Sequence, residues 1–180
     1  MEGKVIFLSP STQHANVGYG DFGTEEYRMN RITDIIEPLL KAKGYTVYRN
    51  NLDETLGAAV RKSNEIRPDI HVSIHSNASG AGYSARGPEV FANRPNTAGD
   101  RLAHFIYDEI LKIYPDPSKG RGVLYTSTLY EIIRTNAPAV LIEIAFHDNP
   151  EDAAWIMNNE NEIAQAIVRG IDNYFQSLVK

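Results

Sequence analysis

Four short stretches of the chain hold the residues best able to do chemistry. Ser11-Thr12-Gln13-His14 follows the apolar run Val5-Ile6-Phe7-Leu8, and Glu26-Tyr27-Arg28-Met29-Asn30 opens an amphipathic segment. Ser73-Ile74-His75-Ser76-Asn77 ends a second apolar run, and Glu143 sits inside the otherwise apolar stretch Ala139–Phe146. Two neutral imidazoles and one carboxylate make the ligand set of a catalytic zinc with an open fourth position. A further carboxylate beside such a metal is the proton carrier a hydrolase needs.

Each of these residues also has a plainer reading. A lone histidine at a strand end, such as His75, often serves as a hydrogen-bonded structural group, with Asn77 in the same loop. His14 alone reads as a solvated loop residue. Glu26 and its neighbour Glu25 both suit the first turn of a helix, where acids complement the dipole, and Glu25 is an equal candidate for a ligand. Glu143 is harder to explain away, because an acid among Leu141, Ile142 and Ile144 is costly to bury without a partner. Its structural alternative is an ion pair with Arg134 or Arg121. His71 lies on the same strand face as His75 but at the far end, His104 lies on a helix flank, and His147 follows Glu143 by four and is a more distant candidate for the site. The chain has no His-Glu-x-x-His helix, no Gly-x-Ser-x-Gly elbow, no cysteine nucleophile and no phosphate loop.

The elements that must position these groups alternate between strand and helix. Residues 4–8 read as a buried strand and 11–24 as a glycine-punctuated loop. A helix is expected from about Thr24 to Lys43, N-capped by Thr24, kinked at Pro38 and stopped by Gly44. Strands are expected at 45–49, 70–75, 88–93 and 139–146. Helices are expected from an Asp53 cap to Ile66, over 97–114, and in two pieces from 150 to 178. Leu129–Arg134 fits a strand or one helical turn, and 115–122 reads as loop. Such alternation implies an α/β layered domain with a largely parallel sheet, filling residues 1–180 as one unit.

Composition narrows the function. The chain has 180 residues, 42% of them hydrophobic, which is enough for one domain with a sizeable core. A net charge of −5 argues against a nucleic-acid surface. No run approaches the length of a membrane span. The first residues lack the charged and apolar regions of a signal peptide. With no cysteine, any zinc must use His, Asp or Glu.

Taken together, these motifs resemble the zinc-dependent N-acetylmuramoyl-L-alanine amidases called amidase 3, found in cell-wall hydrolases, autolysins and phage endolysins. The likeness runs over nearly the whole chain. It rests on a loop histidine after the first strand (His14), a glutamate four residues before an asparagine (Glu26, Asn30), Ser73-Ile74-His75-Ser76-Asn77-Ala78 and Gly87-Pro88-Glu89-Val90. Arg121-Gly122 and the segment Pro138 to Asn149 complete it. One departure stands out: the family's Asp-x-Gly-His-Gly is here Ser9-Pro10-Ser11-Thr12-Gln13-His14-Ala15, without the aspartate or glycines.

The resemblance implies a twisted, mostly parallel six-stranded sheet flanked by helices. It implies a Zn2+ ion held by His14, Glu26 and His75, with Glu143 as the catalytic acid–base. The reaction implied is hydrolysis of the amide between N-acetylmuramic acid and L-alanine in peptidoglycan. A separate cell-wall-binding module is an expected partner, and the missing signal peptide suits a phage lysin released through a pore or an excised catalytic module. Two alternatives remain: another zinc amidohydrolase or peptidase cutting within the stem peptide, and a non-catalytic wall-binding domain; a metal-free glycosidase using Glu89 and Glu143 would leave both histidines unexplained.

Overall fold

In the strand Ile70–Asn77 apolar and polar residues take turns: Ile70, Val72 and Ile74 against His71, Ser73 and His75. Successive side chains of a strand point to opposite faces, so this one strand splits a sheet into an apolar face and a polar one. The structure, a computed structural model, describes residues 3–80 and 83–179. Its six-stranded sheet comprises β1 (Val5–Pro10), β2 (Thr46–Arg49), β3 (Ile70–Asn77), β4 (Glu89–Ala92), β5 (Gly122–Tyr125) and β6 (Ala139–Phe146). The order is β2-β1-β3-β6-β4-β5. All neighbours are parallel except β4 and β6, which run antiparallel. The expected mostly parallel α/β sheet is therefore present, with two reversed strands at one edge.

On the apolar face, Ile6, Leu8, Ile70, Val72, Ile74, Val90, Val140 and Ile142 join one core with the helices α1 (Glu25–Ala42), α3 (Ala98–Ile113), α5 (Pro150–Asn158) and α6 (Glu160–Ser177). Each fully buried Ile or Val there contributes about 1.5–3 kcal/mol. Helix α1 turns Met29, Ile32, Ile36 and Leu40 inward, and Thr24 caps it by accepting from Tyr27 N. It runs unbroken through Pro38, an exposed position where the freed carbonyl meets water. Helices α3 and α6 approach closely at Gly170, where a Cβ would lie 2.6 Å from Ile106 Cα.

The polar face carries a smaller apolar cluster of Ile132, Ala139 and Leu141, with Phe91 and Leu129 packed against it. Two helices flank it, α2 (Leu56–Ile66) and the five-residue α4 (Tyr130–Arg134). Leu129–Arg134 thus resolves as a helical turn that buries Ile132 and leaves Ile133 exposed. Helix α2 starts later than expected, because Thr55 rather than Asp53 accepts the capping bond from Ala58 N. β5 begins at Gly122, where the stretch read as loop ends, and no strand was expected there; it is an edge strand of four residues, none of them buried.

Candidate active site

Register places three titratable side chains abreast. His75 on β3 pairs with Glu143 on β6, and Glu143 pairs with Glu89 on β4. All three therefore stand on the polar face, at the carboxyl end of β3, where open α/β sheets place their ligands.

His75 is 8% exposed and lies between two acids. Its Nδ1 is 2.8 Å from Glu25 Oε1 and its Nε2 is 3.4 Å from Glu131 Oε2. A carboxylate can only accept, so both ring nitrogens donate and the ring is an imidazolium. Burial opposes that charge, but the hydrogen bonds to Glu131 and Glu25 outweigh it and push His75 up to about 10. Glu25 is fully buried, and Asn16 Nδ2 donates to its Oε2. Burial works against the ionisation of Glu131 too, yet its bonds with His71 and His75 hold it well below the usual carboxylate range.

Glu143 is the opposite case. Its Oε2 is cut off from solvent and has no hydrogen-bond partner among the described residues. Burial pushes its carboxyl up to about 8, against the pull of His75, and Glu25 and Glu89 add to the rise. The ion pair with Arg121 considered as an alternative is not made: Arg121 Nε donates to Glu89 Oε2, and Asn77 Nδ2 donates to Glu89 Oε1 at 2.7 Å. No ion pair to Arg134 is made either among the described residues. Glu89 is thus neutralised in place while its neighbour across the ladder is left bare.

A pocket of about 230 Å³ opens onto this group. His75, Glu131, Glu143, Ser9, Ser11 and Asn50 supply its polar lining, and Leu56, Leu129, Tyr130 and Leu141 supply apolar walls. The strand ends that frame it are locked by Asp152, which is fully buried at the start of α5. It accepts from Tyr114 Oη at 2.5 Å, Gly87 N at 2.9 Å and Phe146 N at 3.0 Å. Gly87, with φ of 97°, leads the chain into Glu89; a Cβ there would sit 1.9 Å from the Lys119 carbonyl oxygen.

The expected residues divide into two groups. His75 and Glu143 meet at the pocket. His14 and Glu26 instead line a separate depression of about 500 Å³ with Asp53, Glu54 and Thr55. The reason lies in the loop after β1. Ser11 N still bonds Ile74 O, and the chain then turns at Thr12, whose carbonyl accepts from His14 N. His14 is left exposed on the outside of that turn. Glu26 is displaced by helix phase, since Glu25 lies four and seven residues before Met29 and Ile32 and so shares the buried stripe. Asn30, which singled out Glu26 by its spacing, is occupied with Ser11 O, Glu26 O and Arg49. His147 is buried against Phe22 and lies 2.9 Å from Ser76 Oγ, away from the pocket lining.

Glu131 was missed from sequence because its segment was ambiguous, although the alternation His71-x-Ser73-x-His75 marks a polar face that an acid would have to satisfy. Among the described residues, no three His, Asp or Glu side chains are gathered as a ready cation cage.

The chain was compared with known proteins. The family model for N-acetylmuramoyl-L-alanine amidase (Amidase_3) matches residues 6–173. YqiI, an uncharacterised protein of Bacillus subtilis (strain 168), is 29% identical over 183 residues, covering 97% of this chain and 86% of YqiI. The N-acetylmuramoyl-L-alanine amidase LytC of the same organism is 28% identical over 182 residues, covering 97% of this chain but 36% of LytC. In fold, the amidase AmiC2 of Nostoc punctiforme superposes with a TM-score of 0.85 at 23% identity, covering 98% of this chain and 99% of the other.

Proposed function

We propose that this chain, which belongs to the N-acetylmuramoyl-L-alanine amidase family, hydrolyses the amide joining the lactyl group of N-acetylmuramic acid to the L-alanine of a peptidoglycan stem peptide. The observation that carries the reading is Glu143: a half-buried acid with an unpartnered Oε2, lining a pocket and standing beside His75. An acid left bare at such cost is a group kept for a proton transfer.

The donors are of the kind a divalent cation takes, although no three of them are gathered around one point among the described residues. Glu25, Glu131 and Glu143 surround one imidazole, and a cation of like sign can stand where a ring proton now bridges His75 and a carboxylate. His75 and Glu25 would hold it, in place of the set His14, Glu26 and His75 that the resemblance implied. Zinc bound there would act as a Lewis acid, polarising the amide carbonyl and making a water easier to deprotonate.

The chain's own groups do the rest. The Glu143 carboxylate accepts a proton from the attacking water, whose oxygen adds to the carbonyl carbon. The carbon–nitrogen bond then breaks, and Glu143 returns the proton to the leaving nitrogen. The products are a lactyl carboxylate on intact glycan and a peptide with a free L-alanine amine. The apolar walls of Leu56, Leu129 and Leu141 exclude water from the far side of the pocket.

Peptidoglycan is the substrate under this reading, and a separate wall-binding module is a candidate partner, because the chain spans only about a third of LytC. No described helix is long and apolar enough to cross a membrane. The test is mass spectrometry of purified peptidoglycan after digestion. Free stem peptides beginning with L-alanine, absent with Glu143→Ala, are expected. New reducing sugar ends would point to a glycosidase, and cuts inside the stem peptide to a peptidase; either result overturns the proposal.

A further inference from the structure

We infer that Glu131 is a positioning residue for the reaction, acting through His75; the inference rests on the functional reading above. Glu131 is 2% exposed and sits on the one-turn helix α4. A carboxylate so deep is tolerated only if its oxygens are filled, and each one is. Ser9 Oγ donates to its Oε1 at 2.5 Å, and His71 Nε2 lies 3.2 Å from the same oxygen. Its Oε2 faces His75 Nε2. His71 is held in turn by Ser63 Oγ at 2.9 Å from Nδ1, and its ring stacks on Phe7 with centroids 5.2 Å apart.

The result is a buried string, Ser63–His71–Glu131–His75, that runs from α2 across β3 to α4 and back to the end of β3. His71, Glu131 and His75 each hold a bond on both sides, so none of the three rotates without breaking one. Glu131 and His75 both line the pocket, and His75 pairs in register with Glu143. His75 is the sole imidazole lining that pocket among the described residues, so the orientation of its ring decides which nitrogen serves the reaction. Glu131 occupies the Nε2 side and leaves Nδ1 facing Glu25. A carboxylate on the far nitrogen of a ligating histidine fixes its tautomer and strengthens it as a donor. Glu131 has the geometry for that task, and it touches the reacting atoms only through the ring.

The alternative is that Glu131 merely pins α4 to the sheet. Three measurements separate the two on Glu131→Gln, which keeps the shape and removes the charge. Zinc affinity of the metal-stripped protein, read by chelator competition, should weaken about 10- to 100-fold. The kcat on a soluble muramyl peptide should fall in step while KM changes by less than about three-fold. Nitrogen-15 NMR of zinc-loaded wild-type protein should report a protonated Nε2 on His75, and the variant should report mixed tautomers. Wild-type zinc affinity and kcat in a folded Glu131→Gln protein would overturn the inference. If that variant does not fold, Ser9→Ala loosens Glu131 while leaving its charge; a smaller loss of zinc affinity in the same direction supports the inference, and an unchanged affinity overturns it. A wild-type protein that releases no stem peptides would sink the functional reading, while a zinc affinity that weakens in Glu131→Gln would still support the role of Glu131 in setting the His75 ring.

Discussion

Exchanging the acids at the start of α1 one at a time separates two neighbours that sequence alone leaves nearly equivalent. Glu25 is 1% exposed and its Oε1 lies 2.8 Å from His75 Nδ1. Glu26 is half-buried beside His14, on the rim of the other depression. Glu25→Gln removes a charge-assisted bond of about 2–3 kcal/mol. If that loss is felt in the transition state, it corresponds to about 30- to 150-fold in kcat/KM, and to more if Glu25 also holds a cation. Glu26→Gln removes a first-turn acid that complements the helix dipole, a loss of about 0.3–1 kcal/mol in folding stability that should leave the rate of the folded protein unchanged. The assay is release of free L-alanine amines from purified peptidoglycan, with circular dichroism to confirm that both variants fold. An inactive Glu26→Gln beside an active Glu25→Gln would refute the assignment of the site.

Three further outcomes follow from the same structure. Glu143→Gln should abolish turnover yet leave the melting temperature unchanged or raised, because a neutral amide relieves a buried acid that no donor satisfies; a marked drop in melting temperature would mean that Glu143 is structural. Gly87→Ala forces a Cβ onto the Lys119 carbonyl at a φ that L-residues avoid, and should cost about 3 kcal/mol or more in urea unfolding; a neutral result would show that the turn into β4 can relax. Burial disfavours the ionised form of Glu160, but hydrogen bonds from Arg31 and Arg28 hold its carboxyl below the ordinary range. Its stabilisation is thus complete above the unfolded carboxylate pKa of about 4.3 and is lost as the pH falls through the lower folded value. Glu160→Gln should therefore be less stable than the parent by about 2 kcal/mol at pH 7, with the gap closing as the pH falls below the ordinary carboxylate range; a gap that persists in acid would contradict the pairing.

The sheet was legible because its strands carry strong patterns. The alternation in β3 and the long apolar run of β6 each admit few readings, and helix α1 has a full stripe from Met29 to Leu40. β5 escaped notice because an edge strand of four half-exposed residues needs no apolar face. The site was half legible. His75 and Glu143 stand out because a polar group at the end of a buried strand has few explanations. The choice between Glu25 and Glu26 depended on helix phase, which the buried stripe reports and the spacing to Asn30 does not, since Asn30 serves to tie the β1 loop to β2. His14 was drawn in by its order along the chain, but the stretch from Ser11 to Ala15, which lacks the family's glycines, turns at Thr12 and carries it outward. Glu131 depends on tertiary contact alone: nothing within its own segment announces that it meets two histidines of a strand some sixty residues away.

The most direct test of where the chemistry resides is a crystal soaked in zinc and measured on both sides of the zinc absorption edge. An anomalous peak within bonding distance of His75 Nδ1 and Glu25, with Glu131 against the other ring nitrogen, is the expected result. A peak between His14 and Glu26, leaving His75 unligated, would contradict the account.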